Sequence, residues 1–131
     1  NIFLSTGPFE SKASFLPYAK QLQDLGFHLF ATRGTADFMK YHGINSQVLY
    51  LPLEKKEPNA LTYISDRKID LVINIPKSID EDALTNDYLI RRRAVDFNVP
   101  LITNLQLAEL FIDSIERMQL EDLGIKSWDE Y

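Results

Sequence analysis

Short apolar runs alternate along this chain with segments of helical period, and that alternation constrains the fold more than any other feature. A strand that must pair in parallel with the next one needs a long crossover, usually a helix, so the pattern implies repeated βαβ units around a mostly parallel sheet. Five strands are expected: Ile2 to Ser5, Phe27 to Ala31, Gln47 to Leu51, Asp70 to Ile75 and Val99 to Ile102. Leu71-Val72-Ile73 is the most continuously apolar stretch, which suits a central strand covered on both faces, while the mixed third run suits an edge. The fold class is α/β, a three-layer sandwich with a five-stranded mostly parallel sheet.

Between the first two strands Phe15, Tyr18, Ala19, Leu22 and Leu25 recur at the spacing of one helix face, with Gly26 as the stop. Pro17 fits only the first turn of a helix without breaking a bond, so the spacing predicts a start near Ser14 and leaves Lys12 in or beside the preceding loop. Further helices are expected from Ala36 to His42, capped by Thr35, from Ala60 to Asp66, from about Asp87 to Asn98, and onward from Asn104 as cap. The polar stretch Lys77 to Asn86 reads as a long loop. Residues 1–118 form the domain and 119–131 an acidic tail.

Composition narrows the classes. With 131 residues the chain can bury a core of its own, and no apolar run approaches the roughly 20 residues that span a bilayer. The absence of cysteine excludes disulfides and thiolate chemistry; together with the absence of a signal peptide it fits a reducing compartment, the cytoplasm or an organelle matrix. A net charge of −5 speaks against a general nucleic-acid binder, and no membrane partner is expected. The chain opens at Asn1 and enters a strand at once, which reads as a segment of something longer.

In an open parallel sheet, ligands bind beyond the carboxyl ends of the strands. The residues there are Thr6-Gly7, Thr32-Arg33-Gly34-Thr35, Asn74 with Lys77 behind it, and Thr103-Asn104. They are hydrogen-bond donors, and where a helix starts its free N–H groups add a partial positive charge, so Thr6, Lys12, Thr32, Gly34, Thr35, Asn74, Lys77 and Asn104 form a candidate pocket for a small anion. Thr35 and Asn104 are equally good helix caps, and Gly34 an ordinary turn residue. Arg91-Arg92-Arg93 cannot act as one clamp, because successive helical residues turn by about 100°; Arg91 or Arg92 reaches the pocket or a neighbouring domain and the others are solvated. His28 and His42 lack a third ligand at metal spacing, so no metal site is expected. Glu54 and Glu57 flank Lys55-Lys56 in a loop, a surface charge pattern in which one carboxylate could face the pocket.

The stretches FATRGTADF, KIDLVINIPK, YLIRRRAVDFNVPLITN and LAELFIDSI resemble the methylglyoxal synthase-like domain at the carboxyl end of the carbamoyl phosphate synthetase large chain, over nearly all of residues 1–118. The resemblance implies a regulatory domain that does not catalyse and needs no cofactor, but biases the ATP-driven synthetase domains of the same chain, its partners. Carried over by motif, Lys12 matches a phosphate-contacting lysine, Thr32 and Thr35 the threonines of an A-T-x-G-T motif, and Asn74 the asparagine closing the fourth strand. Effectors in such domains are uridine or inosine nucleotides, or N-acetylglutamate. This chain has Leu51 where members responsive to N-acetylglutamate have tryptophan, and Lys77 where they have a second asparagine; nucleotide-responsive bacterial members carry a lysine near Leu51 and a threonine near Pro76, so both ligand classes stay open. Methylglyoxal synthase itself, acting on dihydroxyacetone phosphate, shares the fold, but its His-Asp pair is Gly7-Pro8 here, its later histidine falls near Ala83, and only Glu57 stands near the place of its aspartate. The nucleotide-binding half of the purine-pathway cyclohydrolase shares the Gly-Thr turn and little of the second half.

Overall fold

A computed structural model describes residues 1–7, 9–75 and 81–124. The elements are β1 (Ile2–Ser5), α1 (Phe9–Asp24), β2 (Leu29–Ala31), α2 (Arg33–Tyr41), β3 (Gln47–Val48), a single 3-10 turn (Pro52–Glu54), α3 (Ala60–Ser65), β4 (Leu71–Asn74), α4 (Glu81–Asp96), β5 (Leu101–Ile102) and α5 (Leu105–Gly124). All strand pairs are parallel, in the order β3-β2-β1-β4-β5. The α/β fold is as expected, but β1 takes the centre of the sheet; β4 lies beside it and β3 is an edge.

Side chains alternate across each strand, and this divides the core in two. Ile2 and Leu4 of β1 with Leu71 and Ile73 of β4 pack under α1, α2 and α5, against Phe15, Ala19, Leu22, Met39, Ala108 and Ile112. Phe3 and Val72 face the other way, onto Ala60 and Ile64 of α3 and Ile90 and Ala94 of α4. The result is three layers, helices on both faces of the sheet.

Several boundaries move. α1 starts at Phe9, not near Ser14, and runs through Pro17, so Lys12 lies inside a helix rather than a loop; a proline costs one bond there, to the carbonyl of Ala13. α4 starts at Glu81, which places Glu81 and Asp82 in its first turn, where acidic side chains oppose the helix dipole, and it replaces the second half of the expected loop. Residues 76–80, including Lys77, lie outside the described residues. α5 continues to Gly124, past the expected boundary at residue 118, and the tail from 125 on is outside the described residues as well.

β2 and β5 start later than their apolar runs because helix caps claim the first residues. Phe27 N–H closes α1 on the Leu22 carbonyl at 3.2 Å, and Val99 N–H closes α4 on the Ala94 carbonyl at 2.8 Å. α2 ends the same way, with Gly43 N–H on Lys40 O and Ile44 N–H on Met39 O, a Schellman closure that needs the left-handed φ of +82° found at Gly43. Among the described residues no helix is long and apolar enough to cross a membrane.

Candidate functional site

The strand order reverses direction at β1, between β2 on one side and β4 on the other, and a crevice opens there beyond the strand ends. A cavity of about 180 Å³ occupies it, lined by Ser5, Gly7, Thr32, Arg33, Gly34, Thr35, Leu51, Glu54, Asn86 and Asp87. One water molecule needs only about 10 to 15 Å³ by this measure, so the space admits an organic ligand.

Its floor is a closed set of three threonines. Thr35 Oγ1 accepts from the backbone N–H of Thr6 at 3.3 Å and from Thr32 Oγ1 at 3.2 Å, and lies 3.4 Å from Thr6 Oγ1. A hydroxyl oxygen accepts two bonds and donates one, so Thr35 donates to Thr6. All three are buried. This corrects the expected cap: α2 begins at Arg33, its cap position is Thr32, and no side chain caps it, because the Thr32 hydroxyl is turned to Thr35. The first helical bond is Ala36 N–H to Thr32 O at 2.8 Å. The amides of Arg33, Gly34 and Thr35 precede it, at the positive end of the helix and on residues that line the cavity.

Lys12 reaches the same corner from α1. Its ammonium donates to the Gly7 carbonyl at 2.9 Å and lies 3.7 Å from where a Cβ on Gly34 would stand. Gly7 has φ +65°, the left-handed region that lets the chain turn from β1 toward α1.

The opposite wall comes from α4 and the loop after β3. Leu53 N–H donates to Asn86 Oδ1 at 2.9 Å, which holds the 3-10 turn against α4. Leu51 N–H is held by Glu54 Oε1 at 2.8 Å. Asp87 is buried, and its Oδ1 accepts from Asn74 Nδ2 at 3.1 Å.

Of the residues read from the sequence, Thr32, Gly34 and Thr35 line the cavity, Thr6 supports them from below, and Lys12 stands over Gly34. Asn74 lies behind the wall, wholly buried. Asn104 is exposed and caps α5, its Oδ1 accepting from Leu107 N–H at 3.0 Å, and it is not among the lining residues. Arg91 does not reach into the cavity either: its Nε donates to the Asp87 backbone carbonyl. Arg92 pairs with Asp96, whose carboxylate raises its pKa further, and Arg93, expected to be solvated, is half-buried and donates to the Leu61 carbonyl and the Ser65 hydroxyl of α3. Glu57 faces away, accepting from Asn59 N–H and the Thr62 hydroxyl at the start of α3. Neither histidine lines the cavity: His28 borders a shallow depression at the other end of β2, and His42 ends α2 against Phe38 and Tyr41. Among the described residues no group of three or more His, Cys, Asp or Glu could hold a metal ion.

Leu51, which the resemblance marks as a position that differs between ligand classes, does line the cavity, whereas sequence alone does not single out Ser5, Asn86 or Asp87. A signal existed for the last two. They stand four and three residues before Ile90, on the face of α4 that buries Ile90 and Ala94, where a polar residue is retained only for a partner or a ligand.

The fold is thus a parallel α/β sheet with a cavity at its switch point, beside an uncapped helix start and a lysine. The chain belongs to the MGS-like domain family, whose model matches residues 14–103. It is 40% identical over 126 residues to the multifunctional protein pyrABCN of Emericella nidulans, covering 89% of this chain and 6% of that protein. It is 42% identical over 105 residues to the carbamoyl phosphate synthase large chain, C-terminal section, of Methanopyrus kandleri, covering 80% of this chain and 19% of that protein. The chain thus spans well under a quarter of the length of these relatives. The crystal structure of methylglyoxal synthase from Elizabethkingia anophelis superposes with a TM-score of 0.59 at 18% identity, covering 85% of this chain and 76% of that one, a likeness of fold.

Proposed function

We propose that this chain is a regulatory domain of a carbamoyl phosphate synthetase polypeptide serving pyrimidine or arginine biosynthesis, and that its cavity holds a small phosphorylated effector, a uridine or inosine nucleotide, which biases the synthetase domains of the same chain. The relatives' names support the synthetase context, and their much greater length supports a domain within a longer protein. The observation that carries the effector reading is the corner where the uncapped start of α2, the Lys12 ammonium and Arg33 meet at one cavity. Backbone amides at a helix start and a nearby cation are the groups that bind phosphate oxygens.

The competing enzyme, a methylglyoxal synthase, needs a group to polarise or protonate the substrate oxygen beside its carboxylate base. No histidine of this chain lines the cavity, which favours a ligand held over one transformed. Calorimetric titration with uridine monophosphate, inosine monophosphate and N-acetylglutamate tests the proposal: a nucleotide should saturate one site per chain. Absence of saturable binding by all three would remove the effector reading, and turnover of dihydroxyacetone phosphate would restore the synthase.

A further inference from the structure

The two edges of the sheet are finished differently. Beside β3, α2 presents Arg33, Asp37 and Lys40 to solvent next to Asn45 and Ser46, the charged and polar finish that keeps an edge from pairing with another chain. Beside β5 the exposed side chains are apolar.

Helix geometry gathers them there. On α4, Ile90 and Ala94 enter the core and Arg93 reaches across to α3 through the Leu61 carbonyl and the Ser65 hydroxyl. At about 100° per residue, Leu84, Tyr88 and Val95 then fall on the flank opposite Arg93, turned away from α3. α5 repeats the arrangement on the other face of the sheet. Ala108 and Ile112 enter the core, Gln21 of α1 bonds Asp113 and Glu116, and Leu107, Phe111 and Met118 fall on the flank turned away from α1. Both helices pack on β5, the last strand of the sheet, so the two flanks border its open edge from either side. All six side chains are between 40% and 63% exposed, and Leu101 and Ile102 of β5 are half-buried. Among the described residues no strand pairs with the outer side of β5. Single exposed apolar residues are ordinary on a protein surface; six gathered along one open edge mark a contact surface.

We propose that this edge, β5 with the outer flanks of α4 and α5, is the surface by which the domain docks on an apolar face of the synthetase part of its own polypeptide. The inference rests on the synthetase context of the proposed function and adds where the contact lies. Three observations favour that occupant over a second copy of this chain. The chain matches 6% of pyrABCN and 19% of the Methanopyrus kandleri protein, so these relatives carry the domain within polypeptides of far greater length. Each copy has a net charge of −5, which works against self-association. β5 is only two residues long, too short a ladder to hold two copies by edge pairing.

The chain contains no cysteine, so an introduced one reports on a single position. Val95→Cys, Leu107→Cys and Tyr41→Cys are placed in turn in the intact polypeptide that carries this chain, and their rates of modification by a maleimide are read by peptide mass. All three positions are well exposed in the domain, Tyr41 at 86% on α2, beside the other edge. Docking predicts that Val95→Cys and Leu107→Cys react roughly tenfold or more slowly than Tyr41→Cys, the factor for a closed state favoured by about 1.4 kcal/mol. Comparable rates at the three positions would overturn the inference. Sedimentation of the 131-residue chain supplies the second arm: a monomer is expected, and a dimer that Leu107→Glu dissociates would give the surface to a second copy instead. Nucleotide titration decides the effector reading independently. Failed docking leaves that reading standing, and failed nucleotide binding removes the effector without touching the docking surface.

Discussion

At the scale of single residues, position 34 separates what the fold requires from what the site requires. Gly34 is the second residue of α2, is not among the residues with positive φ, and a Cβ there would meet only the Lys12 ammonium, at an ordinary 3.7 Å. Nothing in the backbone demands glycine. Gly34→Ala should fold with a gain of up to about 1 kcal/mol, since alanine loses less conformational freedom in a helix. The added methyl would project beside the lysine where the anion is proposed to sit, so nucleotide affinity should fall. Thermal melting and titration on the same sample check both halves, and a variant that binds as tightly as the wild type would move the anion elsewhere. The contrast shows how much of the site was legible. Thr32, Gly34 and Thr35 follow one another at a strand end, so their convergence can be read from one short stretch. Asn86 and Asp87 join them only because Leu53 N–H bonds Asn86 across the sheet top, a contact between segments more than thirty residues apart that no local pattern announces.

At the scale of elements, alternation of period identified every strand and helix, and the misplacements have a common physical cause. An apolar residue just after a helix can open a strand or close a Schellman cap, and both readings satisfy hydropathy. Phe27 and Val99 close caps, with Gly26 at φ +94° and Asn98 at φ +57° in the left-handed position before them. α1 starts earlier than expected for a different reason: by its local chemistry Pro17 belongs in a first turn, whereas tertiary packing of Phe15, Ala19 and Leu22 holds the helix across it. The caps can be tested where side-chain contacts do not interfere. A Cβ on Gly43 would have no heavy atom within 4 Å, so Gly43→Ala should cost only the backbone strain of the left-handed region, about 1 to 2 kcal/mol. Urea unfolding should show a lower midpoint at an unchanged slope. An unchanged midpoint would mean that the turn after α2 relaxes without the Schellman geometry.

At the scale of the whole molecule, two hydrophobic cores share one sheet, and the cavity draws a wall from each side of it. α2, which supplies Arg33, Gly34 and Thr35, packs through Ala36 and Met39 on one core; α4, which supplies Asn86 and Asp87, packs through Ile90 and Ala94 on the other. Phe3 and Leu4 are neighbours on β1, both fully buried, and they enter opposite cores. If β1 couples the layers, neither core can loosen alone, and the chain unfolds as one unit. Leu4→Ala and Phe3→Ala should each cost about 2 to 5 kcal/mol, the range for large-to-small changes in a packed interior. Amide hydrogen exchange distinguishes this from two independent halves. Coupling predicts that each variant speeds exchange of the slowest amides in α1 and α5 and in α3 and α4 by a similar factor, whereas confinement to the mutated face would show separable layers. The same measurement tests the proposed effector: the cavity is lined from both layers, so saturation with nucleotide should slow exchange on both faces of the sheet, and protection limited to α2 would mean that the α4 side of the cavity takes no part in holding it.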